Sequence, residues 1–252
     1  MLTHPTLDQL RQLQLYGMLK ALAEQDQRPD LESLSFLERL ALLVDREVTE
    51  RDNRRLATRL RFAKLRQAAS LEDLNFQPPR QLDRGLVRAL ATCAWVKEHL
   101  NVLITGPTGV GKSYLACALA QKACREGYKA FYQRLPRLLV DLEIARGDGR
   151  YPKLMRQLAH IDVLVLDDFG LEPLNDRHRR DLLEIFDDRY GTRSTLVTSQ
   201  LPIPHWHEAL GDPTLADAIL DRLVHNAQRI DLKGPSLRKA KAPESDPVPV
   251  TP

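Results

Sequence analysis

Val102-Leu103-Ile104-Thr105-Gly106-Pro107-Thr108-Gly109-Val110-Gly111-Lys112-Ser113-Tyr114 is the stretch on which the reading of this sequence turns. An apolar run leads into a glycine-rich loop, and the helix-forming segment Tyr114–Ala120 follows. Gly106, Gly111, Lys112 and Ser113 stand at P-loop spacing. Glycines let backbone N–H groups curl round a phosphate with no Cβ in the way. The helix N-terminus adds unpaired donors and a partial positive charge for the same anion. Lys112 is expected to reach the outer phosphates, and the Ser113 hydroxyl to ligate Mg²⁺. Pro107, Thr108, Gly109, Val110 and Tyr114 complete the expected ATP-binding set. An ordinary Gly/Pro turn before a helix is the plainer alternative, and the strand–loop–helix context argues against it.

The acid that completes such a site comes from another strand. Leu164-Val165-Leu166-Asp167-Asp168 puts two carboxylates at the carboxyl end of a continuous apolar run, where sheet ligands bind. Asp167 is expected to hold Mg²⁺ as a Walker-B acid. Asp168 is placed to orient or deprotonate an attacking water. Thr198-Ser199-Gln200 ends a further strand beside the expected γ-phosphate position. Arg222, in Leu220-Asp221-Arg222-Leu223, reads either as a surface ion pair with Asp221 or as an arginine finger for a neighbouring subunit's ATP.

Outward from these motifs, strands and helices alternate, which predicts an α/β fold: a parallel sheet covered on both faces. Strands are expected at 129–133, 161–166, 195–198 and 229–232, besides the one before the P-loop. Helices are expected at 82–98, 135–146, 151–160, 177–190 and 215–225, with Gly127 as a helix C-cap.

Ahead of the sheet, Leu7, Leu10, Leu13, Tyr16, Met18, Leu19 and Leu22 predict one amphipathic helix over 6–27. Ser35 and Glu38 form a capping box for a second helix. Its stripe of Leu37, Leu40, Ala41, Val44 and Val48 is expected to pack on the first helix. The organisation read from this is a helical domain at 1–69, a linker at 70–81 around Pro78-Pro79, a nucleotide-binding domain at 82–233 and a proline-rich disordered tail at 234–252.

Composition bounds the class. With 43% hydrophobic and 28% charged residues over 252 positions, the sequence suits a globular protein of two domains. No apolar run approaches the ~20 residues of a membrane span. MLTHPTLDQL lacks the form of a secretory signal, and Cys93, Cys117 and Cys124 lack metal or redox spacing. A cytoplasmic protein with no membrane partner is expected. His205-Trp206-His207 has no further ligands nearby, so a loop packed by Trp206 is read in place of a metal site.

Net charge is only +3, but its distribution is uneven. Arg51, Arg54, Arg55, Arg59, Arg61 and Lys64, with Arg66 beyond them, crowd one segment. Arg134, Arg137, Arg146, Arg150 and Lys153 lie between the second strand and the Walker-B run. Each group reads as a solvated face or as a phosphate-contacting surface that holds DNA without reading its sequence.

GPTGVGKS, VLVLDDFG, the TSQ strand end and the DRL helix together resemble AAA+ ATPases of the DnaC/DnaI helicase-loader group. Leu15-Tyr16-Gly17-Met18, Arg51-Asp52-Asn53-Arg54-Arg55, Phe62-Ala63-Lys64-Leu65 and Leu71-Glu72-Asp73-Leu74 narrow the resemblance to the IstB family of transposition helpers, over roughly residues 5–240. The resemblance implies an ATPase that oligomerises on duplex DNA in its ATP state and deforms it. Such a protein selects the target site and recruits an IstA-like transposase, which stimulates hydrolysis. It also implies Gln200 at the sensor-1 position and Arg222 as the arginine acting in trans. Arg238 is a candidate sensor-2 arginine, and the helical lid domain of many AAA+ proteins is not expected. Most AAA+ proteins have Glu where this sequence has Asp168, which implies slow hydrolysis without DNA and partner. Other readings are a helicase loader on single-stranded DNA, a small-molecule P-loop kinase, and a DNA-bending protein that merely binds nucleotide.

Overall fold

The structure, a computed structural model, describes residues 5–25, 27–76 and 81–237. Its first helices are α1 (Pro5–Gln12), α2 (Tyr16–Gln25) and α3 (Phe36–Ala63). The protein divides into two compact units between Arg59 and Leu60, within α3; the boundary expected from sequence is 69/70.

In the first unit the single helix expected over 6–27 is two. Gln14 takes φ +56°, and Leu15 N–H returns to Leu10 C=O at 2.9 Å, closing α1. The restart is capped from outside. Glu47 Oε2, on α3, accepts from Gly17 N–H at 2.7 Å and Met18 N–H at 3.2 Å. A continuous helix would have spent those N–H groups on its own carbonyls. Gly17 is required there, because a Cβ would lie 2.6 Å from Glu47 Cα.

The Ser35–Glu38 capping box forms as the residues predict: Glu38 Oε2 accepts from Ser35 N–H at 2.8 Å and from its hydroxyl at 2.7 Å. The stripe behind it does not pack on α2. Leu37 is 73% and Val48 52% exposed. Glu47 and Glu50 turn to α2 instead, and Glu50 Oε1 pairs with Lys20 Nζ at 2.9 Å.

The second unit continues with α4 (Arg84–Ala91), α5 (Ala94–Lys97), β1 (Asn101–Thr105), α6 (Lys112–Arg125), β2 (Ala130–Arg134), α7 (Leu135–Gly147), α8 (Tyr151–His160), β3 (Val163–Phe169), α9 (Asp176–Arg189), β4 (Ser194–Ser199), α10 (Trp206–Leu210), α11 (Pro213–Val224) and β5 (Ala227–Asp231). The helix expected over 82–98 breaks at Cys93, which is left-handed at φ +57°. Around the break Thr92 Oγ1 accepts from Ala94 N–H at 3.2 Å, and Trp95 Nε1 donates to Leu90 C=O at 3.1 Å. Gly127 closes α6 at φ +99°, with Tyr128 N–H on Ala123 C=O at 3.0 Å.

All strand pairs are parallel, in the order β2-β3-β4-β1-β5. Strand β1 lies between β4 and β5, while the backbone leaves it through α6 for the far edge at β2. That reversal opens a crevice at the carboxyl ends of the strands. On one face Leu103, Phe131, Leu164, Leu166 and Val197 join the core formed with α7–α11; α6 covers the other face against β1–β4.

Arg189 holds the end of α9 inside that core at 1% exposure. It donates to Leu158 C=O at 2.6 Å, Ile161 C=O at 2.8 Å, Ser194 C=O at 2.5 Å and Thr195 Oγ1 at 3.0 Å. Burial, then the charge of Arg193, lowers its pKa from the ordinary arginine value.

Trp206, expected to pack a loop, is fully buried but stands in α10, 4.7 Å from the Phe169 ring. His205 and His207 are exposed, and no cluster of metal-ligating side chains occurs among the described residues. The three cysteines are buried free thiols. No described helix is long and apolar enough to cross a membrane.

Residues 234–237 of the expected disordered tail are described: Leu237 N–H donates to Gly109 C=O at 2.9 Å. The disorder expected for 238–252 and the sensor-2 reading of Arg238 lie outside the described residues.

Candidate nucleotide site

Strand β1 delivers Gly106 to the crevice, and the loop to Gly111 turns back into α6. Gly106, Gly109 and Gly111 take φ of +142°, +86° and +99°, conformations that only glycine adopts without strain. Two of them also have close neighbours: a Cβ on Gly106 would lie 2.1 Å from Leu232 C=O, and one on Gly109 2.0 Å from Ser236 Oγ. The stretch after β5 thus lies along the loop.

Lys112, at the first position of α6, is buried. Its Nζ donates to Gly106 C=O at 2.7 Å and Pro107 C=O at 2.9 Å. Those two bonds hold the ammonium within the loop. Val110 is fully buried beneath it. The Tyr114 hydroxyl is 3.5 Å from both the N–H and the C=O of Ser70, on the segment preceding α4.

Ser113 and Asp167 meet. The Ser113 hydroxyl lies 3.0 and 2.9 Å from the two Asp167 carboxylate oxygens. Hydroxyl and carboxylate oxygens are the hard donors that Mg²⁺ prefers, and glycines cradle the adjacent phosphate position, so these residues fit Mg²⁺ with a nucleotide.

Asp167 is 0% exposed and has partners that sequence reasoning missed. Tyr132 OH donates to Oδ2 at 2.5 Å, and Thr198 Oγ1 donates to Oδ1. Arg66 Nη1 stands 3.5 Å from Oδ2. Burial, then the bond to Asp167, raises the Tyr132 pKa far above the ordinary value, so the phenol remains a neutral donor. The neighbouring Tyr132 hydroxyl, then the charges of Asp167 and Asp168, raise the Arg66 pKa from its ordinary value. No local motif announces Tyr132 or Arg66. Thr198 is legible only as part of a polar strand end.

Asp168 does not follow the strand, as expected, but lies within it. Strand β3 runs on to Phe169, with a register shift between Leu166 and Phe169. Asp168 is left-handed at φ +65°, the mark of a bulge that re-aims a side chain. Its Oδ2 accepts from Arg134 Nε at 2.7 Å. Arg134, grouped by sequence with a DNA surface, is therefore engaged at the nucleotide site.

Gln200 follows β4 directly, and its Oε1 accepts from the Thr108 hydroxyl at 2.7 Å, tying the strand end to the P-loop. Arg222 is elsewhere. Its backbone carbonyl oxygen accepts from Asn101 Nδ2 at 3.1 Å, at the start of β1. A strand of this length spans ~15 Å, so Arg222 lies at the end of the sheet opposite the P-loop. Its guanidinium pairs with Asp187 at 2.7 Å and Asp221 at 3.0 Å.

The other basic residues lie on α3, α7 and α8 or in the turns beside them. Arg51 pairs with Glu47 at 2.7 Å and Arg55 with Asp52 at 3.5 Å, while Arg54 lies 5.3 Å over the Tyr16 ring. Arg61 is exposed, Arg59 half-buried, and Lys64 sits 5.7 Å from the Phe131 centroid. On α7 Arg137 pairs with Asp141 at 3.2 Å, and in the turn between α7 and α8 Arg150 pairs with Asp148 at 2.7 Å. Arg146 lies 3.8 Å over the Tyr151 ring and pairs with Asp181, and Lys153 is exposed.

The protein matches the family model described as IstB-like ATP binding protein over residues 8–245. It is 57% identical over 239 residues to the insertion sequence ATP-binding protein y4pL of Sinorhizobium fredii, covering 95% of this protein and 98% of that one. It is 34% identical over 232 residues to the insertion sequence IS21 ATP-binding protein of Pseudomonas aeruginosa, covering 92% and 86%. In fold it resembles the crystal structure of DnaI, at a TM-score of 0.57 and 23% identity over 67% of this protein and 92% of that one. The DnaC helicase loader gives a TM-score of 0.54 at 22% identity over 66% and 97%.

Proposed function

We propose that this protein, which belongs to the IstB-like ATP binding protein family, is an ATP-driven DNA-binding helper of transposition. In its ATP state it oligomerises on duplex DNA, deforms it and presents the target site to a transposase of the IstA kind, which then triggers hydrolysis. The observation that carries the ATPase part is the meeting of Ser113 with Asp167 beside the Lys112 loop. The relatives' naming as insertion sequence ATP-binding proteins supports the transposition part.

Each residue then has a task. Lys112 and the loop N–H groups bind the outer phosphates. Ser113 and Asp167 hold Mg²⁺, whose charge offsets that developing on the transferred phosphoryl group. Asp168 orients the attacking water once it is free of Arg134. Gln200, bonded to Thr108, senses whether the γ-phosphate is present. Arg222 lies at the opposite end of β1 from its own P-loop, so it serves the ATP of a neighbouring copy. This placement supports a homo-oligomer with shared sites. Arg51, Arg54, Arg55, Arg59, Arg61 and Lys64, together with Arg137, Arg150 and Lys153, contact DNA phosphates without reading sequence.

Particle mass in solution tests this reading, measured with duplex or single-stranded DNA and with ADP or a slowly hydrolysed ATP analogue. Large assemblies that need both the ATP state and duplex, and that vanish in Lys112→Ala, are expected. A preference for single strands would replace the reading with a helicase loader. A monomer under every condition would overturn it.

A further inference from the structure

The partners of Asp167 carry a consequence for how the site takes up metal. A fully buried carboxylate is costly unless donors or a cation meet it. Three hydroxyls, those of Ser113, Tyr132 and Thr198, satisfy the Asp167 oxygens. Arg66 adds a positive charge at ion-pair distance, 3.5 Å from Oδ2, while its own side chain is 44% exposed. Its hold is therefore loose on one side and open to water on the other.

The residues just before Arg66 are packed against the sheet. Lys64, immediately after α3, is left-handed at φ +49° and turns the backbone out of the helix. Ala63 is fully buried, and Phe62 packs 5.9 Å from the Phe131 ring at the edge of the sheet. The guanidinium thus reaches the Walker-B acid from a turn whose preceding residues, Phe62 and Ala63, are packed at the sheet.

We propose that Arg66 is a built-in counter-ion of Asp167, which Mg²⁺ must displace, so that Arg66 sets the metal concentration at which nucleotide is held. The inference rests on the reading of Asp167 as the metal-binding acid. A guanidinium and a divalent cation cannot both be favourably seated on one carboxylate at short range, because like charges repel. Tyr132 and Thr198 donate to the two Asp167 oxygens whether or not Arg66 is there, so Arg66 can leave while the hydroxyls keep the carboxylate oriented.

The test titrates Mg²⁺ against the full-length protein with a fluorescent ADP, without DNA and without turnover. In Arg66→Gln the half-saturating Mg²⁺ concentration is expected to fall roughly fivefold, the size a half-exposed ion pair allows. ADP affinity in excess EDTA is expected to stay as in the unaltered protein, which also checks folding. Arg66→Lys keeps the charge and is expected to stay within about twofold of the unaltered protein. An unchanged or higher Mg²⁺ requirement in Arg66→Gln overturns the inference alone. So does an equal loss of affinity in EDTA, which would make Arg66 a nucleotide contact or a structural support. ADP binding by the unaltered protein that ignores Mg²⁺ overturns the metal reading of Asp167 as well. Failure to assemble on DNA would defeat the proposed function and leave this result standing.

Discussion

Arg134 Nε donates to Asp168 Oδ2 at 2.7 Å, across the edge of the sheet from β2 to β3. The register sets Arg134 opposite Asp167, and the bulge brings the next carboxylate within its reach. A carboxylate oxygen occupied by a guanidinium is not free to accept from and orient a water. Arg134→Gln is therefore expected to raise phosphate release in the absence of DNA by about three- to tenfold, with ATP affinity unchanged. Unaltered or slower release would show that Arg134 positions Asp168 for the reaction and does not restrain it.

Asp168 combines the proposed role of orienting water with a backbone demand, its φ of +65°. Asn tolerates the left-handed region as Asp does, so Asp168→Asn removes the charge and keeps the turn. Turnover is expected to fall by about a hundredfold or more, with nucleotide binding intact. Single-turnover kinetics beside equilibrium binding separate the two. Retained turnover would remove Asp168 from the catalytic set.

Glu47 ties α2 to α3 in the first unit. Glu47→Ala strips the cap from Gly17 and Met18 N–H and is expected to destabilise that unit by about 1–2 kcal/mol. Burial raises the Glu47 pKa, but the Arg51 hydrogen bond and the Met18 and Gly17 N–H groups outweigh it, so the carboxyl stands below its ordinary 4.5. A lowered carboxyl pKa gives stability that is full above the unfolded value and is lost as pH falls below about 4.5. Urea melts of the helical signal from pH 7 down to 3 check this. Equal acid sensitivity in Glu47→Ala would assign the loss to other carboxylates.

Leu37, Leu40, Val44 and Val48 leave an apolar stripe exposed along α3, and patches of this kind mark protein contacts. Under the proposed function, the transposase is the partner expected on it. A Leu37→Glu, Val44→Glu pair is expected to weaken association with the transposase by tenfold or more, about 1.4 kcal/mol. ATP binding and the helical signal should not change. Unaltered association in a pull-down of purified components would free the stripe of that role.

The sequence by itself determined the parts that are locally encoded. GPTGVGKS needs glycines at positive φ wherever it occurs, Ser35 and Glu38 cap each other within one turn, and Gly127 closes α6 with its own neighbours. Apolar runs with loop-and-helix returns implied the parallel sheet, and LVLDD implied the acid at its carboxyl edge. The tertiary structure decided what depends on distant partners. Gln14 and Cys93 break helices whose apolar periodicity continues, because α2 finds a cap on α3 and Trp95 a carbonyl on α4. The stripe of α3 faces outward because Glu47 and Glu50, not leucines, meet α2. Arg66, Tyr132 and Thr198 converge on Asp167 only through strand register and the turn after α3. Side-chain periodicity records that a face exists. Which partner covers it, and which distant donors reach a buried charge, is settled only when the elements pack.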